Sequence, residues 1–74
     1  MDKGLKEYHS IIIDSWQMLK RFITTGDPDT DTYWNDVIAE ASRIGEGYNT
    51  EFARKMVSVV IGELERVWRE GHEQ

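Results

Sequence analysis

Three aspartates at alternate positions, Asp27, Asp29 and Asp31, are the densest group of potential ligand oxygens in the chain. A calcium loop of the EF-hand type takes oxygens at its first, third and fifth positions, and at a ninth, where Asn35 stands. The match then stops. The sixth position needs Gly for a sharp turn and is Thr32; the twelfth needs a bidentate Glu and is Ile38; Pro28 fills the second. The same acids suit a plainer task, capping a helix that begins near residue 31 and complementing the positive end of its dipole. Capping is the expected role, with a weak calcium site on Asp27, Asp29 and Asp31 as the alternative.

Other catalytic groupings are missing. The chain has no cysteine, and its two histidines, His9 and His72, lie near opposite ends, so neither a disulfide framework nor a Cys/His zinc site can form. A nucleophilic Ser or Thr needs an oriented base beside it, and the spacing places His9 on the apolar side of a helix near Leu5 and Ile12, as a partly buried packing residue. Glu63 and Glu65 are splayed apart by their i,i+2 spacing. Gly45-Glu46-Gly47 lacks the preceding strand and the basic residue of a phosphate loop. With 74 residues there is little room for a ligand pocket of several hundred Å3. The sequence therefore predicts a non-enzymatic protein without catalytic residues, cofactor or metal.

Nucleic-acid binding is weighed by charge. Fourteen acids against nine bases give a net charge of −5, the wrong sign for a chain that only coats phosphates. Residues 26–40 hold five of the acids and no base, and the remainder is balanced. Arg54, Lys55, Ser58, Arg66 and Arg69 would form a modest basic stripe on a third helix, as in a helix-turn-helix domain, but Glu51 and Glu65 share that face. A solvated helix face is the expected reading of this stripe. The alternatives are direct DNA binding and its opposite, an acidic surface that mimics nucleic acid, as inhibitors of phage or mobile-element type do.

These residues are carried by three amphipathic segments. Over residues 3–25 Leu5, Tyr8, Ile12, Trp16, Leu19 and Ile23 recur at helical spacing and are read as the buried face. Gly26 then supplies a left-handed stop and Pro28 forbids simple continuation. A second helix over 31–45 shows Tyr33, Trp34, Val37, Ile38, Ala41 and Ile44 on one side, with Gly45 and Gly47 read as its end. Asn49 or Thr50 can cap a third over 50–70, whose stripe is Ala53, Met56, Val57, Val60, Leu64 and Val67. Gly62 falls on its polar face. The expected fold is all-α, one compact three-helix domain over 1–74, with frayed ends at about 1–3 and 71–74.

Two of these helices carry more apolar surface than one small core needs. On the first, Ile11, Met18 and Phe22 form a second stripe beside the main one, interrupted only by Ser15. On the third the apolar arc spans roughly 200° at about 100° per residue. Ile11, Met18, Phe22 and Trp68 are the candidate interaction surface, because Met and aromatic residues are enriched at interfaces; the plainer reading is that a small bundle buries its helices unevenly and that Met18 and Phe22 cover the ends of the core. No run is long enough to cross a bilayer, and the acidic start is not that of a signal peptide. The expectation is a soluble, cytoplasmic protein acting by protein–protein contact, through a protein partner or a homodimer, with neither nucleic acid nor membrane as its target.

Overall fold

A computed structural model describes residues 3–72, with side chains described for 4–71. It contains three helices, α1 (Lys3–Thr24), α2 (Asp31–Tyr48) and α3 (Glu51–His72), each packed on the other two. The fold is the all-α three-helix bundle the periodicity predicts. Fraying expected at residues 1, 2, 73 and 74 lies outside the described residues, whereas Lys3, Gly71 and His72 are helical.

The direction of each helix follows from which side chains meet. Tyr33, early in α2, packs its ring on Phe22, late in α1, and Tyr48 at the end of α2 reaches back to Asp14. Tyr8 near the start of α1 meets Phe52 near the start of α3. Ile23 and Val67, toward the other ends, line one cavity. The chain therefore runs up, down and up, with α1 and α3 parallel, in a rod of 48 × 20 × 18 Å.

The connections are set by local chemistry. Gly26 adopts φ 91°, the left-handed turn expected after α1. The cap of α2 comes from the 27–32 cluster of turn- and cap-forming residues, but from its threonine: the Thr30 hydroxyl accepts the Tyr33 backbone N–H at 3.2 Å, and the aspartates are not the cap. The Asp27 carboxylate is engaged one turn earlier, accepting the Asp29 N–H at 3.0 Å in an Asx turn. At the other end α2 does not stop at Gly45 or Gly47 but continues to Tyr48, where Asn49 takes φ 53° and returns its N–H to the Gly45 carbonyl. Asn tolerates that left-handed conformation. Gly45 is instead a buried helical position whose missing side chain faces Arg54. Thr50 caps α3 by accepting the Ala53 N–H at 3.1 Å.

The core consists of Met18 and Phe22 from α1, Tyr33, Val37, Ala41 and Ile44 from α2, and Val57, Val60 and Leu64 from α3, with Ile11 and Ala53 also buried. Ser15 is buried among them at no polar cost, since its hydroxyl donates to the Ile11 carbonyl at 2.7 Å. Gly62 has open space around it, with nothing within 4 Å of where a Cβ would sit. Replacing Gly62 by Ala is therefore expected to stabilise the bundle by about 0.5–1 kcal/mol, the helix-propensity difference, in a urea denaturation curve. A loss of stability there would show a close neighbour at this position.

Candidate functional site

The bundle buries the second stripe of α1 and exposes the first. Ile11, Ser15, Met18 and Phe22, spaced four, three and four residues apart, face α2 and α3, with Ile11 and Met18 only 1% and 2% exposed. Ile11, Met18 and Phe22 are thus core residues, and their placement on an interaction surface is corrected. Trp68 is half-buried, and its indole N–H donates to the Asp29 carboxylate at 3.0 Å. Trp34 donates in the same way to the Pro28 carbonyl at 2.8 Å, and the two indoles meet edge to face. Trp68 is therefore part of a latch that holds the turn between α1 and α2.

The stripe read as buried is the one left facing out. Leu5 is 67% exposed and Trp16 52%, with Tyr8, Ile12, Ile13 and Ile23 exposed beside them and Leu19 partly covered. His9, expected to be partly buried, is exposed as well. Leu5, His9, Ile12, Trp16, Leu19 and Ile23 alternate four- and three-residue steps, the spacing of a coiled-coil seam in which each side chain enters a gap on a facing helix. One helix therefore carries two seams about 110° apart at 100° per residue, one occupied by the bundle and one not.

The parallel neighbour α3 extends this face. Val59 is 66% exposed and Val67 39%, and α3 borders the seam at both ends, through Phe52 against Tyr8 and through Val67 beside Ile23. Together with Leu5, Tyr8, Ile12, Ile13, Trp16 and Ile23 of α1, Val59 and Val67 leave several large apolar side chains exposed on neighbouring helices, the kind of surface that marks a contact site. Both edges of the face carry charged residues. Lys6 and Lys20 are exposed on the α1 side, with the Lys20 ammonium 6.0 Å from the Trp16 ring. Glu63 and Glu70 stand on the α3 side, both paired with Arg66. Those pairs hold the Glu63 carboxyl below its usual range and the Arg66 guanidinium above its own.

The remaining surfaces are less apolar. A groove of about 420 Å3 between α2 and α3 is floored by Ala41, Gly45, Val57 and Ile61, with exposed Ile38 at its side and Glu46 and Arg54 on its rim. Along the basic stripe Lys55 pairs with Glu51, Arg66 with Glu63 and Glu70, and Arg54 donates to the Asn49 side chain. The pairs offset the charge of Lys55 and Arg66, while the Asn49 amide leaves that of Arg54 in place. Between α1 and α2 the Tyr48 hydroxyl donates to the Asp14 carboxylate at 2.6 Å, which raises the Tyr48 pKa, and the Tyr33 hydroxyl donates to the Phe22 carbonyl at 2.6 Å, with burial raising the Tyr33 pKa. Both tyrosines are structural ties.

Asp27, Asp29 and Asp31 do not converge. Asp27 closes its own turn, Asp29 receives Trp68, and Asp31 lies in the first turn of α2. Among the described residues no three His, Cys, Asp or Glu side chains gather closely enough to hold a metal ion. Calcium at about 1 mM, enough for the weakest calcium modules, is expected to leave the melting temperature of the protein unmoved in a thermal scan; a rise would restore the calcium reading. Among the described residues no helix is long and apolar enough to cross a membrane. No family model, curated protein or solved structure matches the chain.

Proposed function

We propose that the chain is a non-catalytic protein-contact module of the cytoplasm whose working surface is the exposed seam of α1 together with the adjoining edge of α3. One observation carries this reading. Leu5, Ile12, Trp16 and Ile23 remain open to solvent at coiled-coil spacing although the same helix has a complete second seam in the core. Exposed apolar area of this extent costs solubility and contributes nothing to folding, so it is kept for a contact. The absence of cysteine fits a reducing compartment. The net charge of −5, and the pairing of Lys55 and Arg66 with glutamates of their own helix, argue against direct DNA binding as the main activity. Acidic mimicry of nucleic acid is less favoured too, because the acid-rich turn is occupied with its own hydrogen bonds.

Affinity capture with three tagged forms tests the proposal: the unmodified chain, an Ile12→Glu/Trp16→Glu double variant, and an Ile38→Glu control on the opposite groove. Any partner, including a second copy under another tag, is expected to be retained by the unmodified chain and the control and lost with the double variant. Helix content by circular dichroism should be the same in all three. Retention of the same partners by a folded double variant would overturn the reading.

A further inference from the structure

The groove between α2 and α3 is bordered by a base that is held along its length. Gly45 is buried in α2, and a Cβ there would stand 3.6 Å from Cγ of Arg54, so the Arg54 stem lies along bare helix backbone. Farther out, Arg54 Nη1 donates to the Asn49 side chain at 3.4 Å, and Asn49 is itself set by its left-handed turn at the end of α2. That bond leaves the Nε and Nη2 edge of the guanidinium without an acceptor among the described residues. No described carboxylate lies within ion-pair distance of Arg54 either. An open guanidinium edge of this kind matches the two oxygens of one carboxylate. We infer that the groove is a binding site, separate from the α1/α3 face, for a small monocarboxylic acid with an apolar body.

The rest of the groove suits such a ligand. Ser58, four residues after Arg54, and Ser42 on α2 line it and offer hydroxyl donors beside the carboxylate. The floor is apolar, through Ala41, Val57 and Ile61. Its volume of about 420 Å3 falls within the range of small-molecule sites, although the chain length led us to expect little room for one. Glu46 on the rim disfavours a second negative charge, so a dicarboxylate or a phosphate ester is a poorer match.

Geometry also limits the size of the occupant. Ile38 is seven residues from Gly45, about 10 Å of helix. An acid of one ring or six carbons, held by Arg54, therefore ends over Ala41 and leaves Ile38 to solvent. An extended peptide is less well served, because both walls are helices whose backbone groups are already bonded.

Titration of the 15N-labelled full chain with benzoate and with hexanoate, read by amide and Arg Nε–H chemical shifts, tests this. Both acids are expected to give saturable shifts at Ser42, Gly45, Arg54 and Ser58, with half-saturation at or below roughly 1 mM. Benzamide has the same shape without the charge, and Arg54→Met keeps the stem without the guanidinium. Each should weaken binding about 10–100-fold, with the helix content of the variant unchanged. Glu46→Gln should tighten it about 2–5-fold, as an exposed like charge is removed. Absence of saturable shifts with both acids overturns the site. Equal binding of benzoate and benzamide, which needs no variant, overturns the carboxylate reading, and full binding by a folded Arg54→Met chain overturns the assigned base. If peptides ending in a free apolar residue bind while the two acids do not, the groove takes chain ends and the small-acid inference is overturned.

Discussion

Replacing Met18 by Ala is expected to lower the stability of the bundle by about 2–5 kcal/mol, whereas replacing Trp16 by Glu, two residues away, should change it by no more than about 0.5 kcal/mol. Met18 is 2% exposed and packs with Phe22, Val37 and Leu64 in one cluster; truncation leaves a cavity that a small rod cannot close by collapse. Domains are stable by only about 5–15 kcal/mol, so this loss is a large part of the total. Trp16 is the bulkier and more apolar-looking residue, yet it lies 52% exposed on the unoccupied seam. Guanidinium denaturation of the two variants at micromolar concentration, where the chain is expected to be monomeric, gives both numbers. The reverse order would mean that α1 is rotated by about a third of a turn from the arrangement described.

Why the sequence misleads about α1 follows from its composition. Both stripes have helical spacing, and the exposed one holds more large apolar residues, so counting favours it. The choice between them is made outside α1, by the close approach of α2 and α3 to that helix. The narrower stripe with Ser15 at its middle fits that approach, and Trp16 does not. No periodicity within α1 contains this information. Other features were legible because they are local: Gly26 as the stop after α1, Thr50 as the cap of α3, and the apolar sides of α2 and α3 apart from the exposed Ile38 and Val67. The end of α2 was misread because Gly45 and Gly47 resemble stop signals, although Gly45 is a buried position within the helix and Asn49 performs the left-handed turn. An excess of apolar surface was legible as well. Its residues were not.

Gly26→Ala should be nearly as damaging as the core truncation, at about 2–4 kcal/mol. Two effects combine. A residue with a Cβ at φ 91° adopts a backbone conformation costing about 1–2 kcal/mol. The new methyl would also stand 2.8 Å from Cδ1 of Tyr33, too close for any real contact. Tyr33 cannot yield easily, because its hydroxyl is bonded to the Phe22 carbonyl at 2.6 Å and its ring is held edge to face by both Phe22 and Trp34. Loosening the turn would release the Trp34 and Trp68 latches on Pro28 and Asp29 with it. Near-ultraviolet circular dichroism should therefore lose aromatic signal in this variant before helix content falls. A Gly26→Ala protein as stable as the unmodified chain would contradict the described packing of Tyr33 on this turn.

The central claim is that the α1 seam is covered when the protein works. Carbene footprinting compares the chain inside the cells that make it with the same chain purified and dilute. Labelling of Ile12, Trp16 and Val59 is expected to be high in the dilute sample and to fall several-fold in the cell, while Ile38 on the opposite groove is labelled equally in both. Unchanged labelling of Trp16 in the cell, with protection at Ile38 instead, would contradict the account.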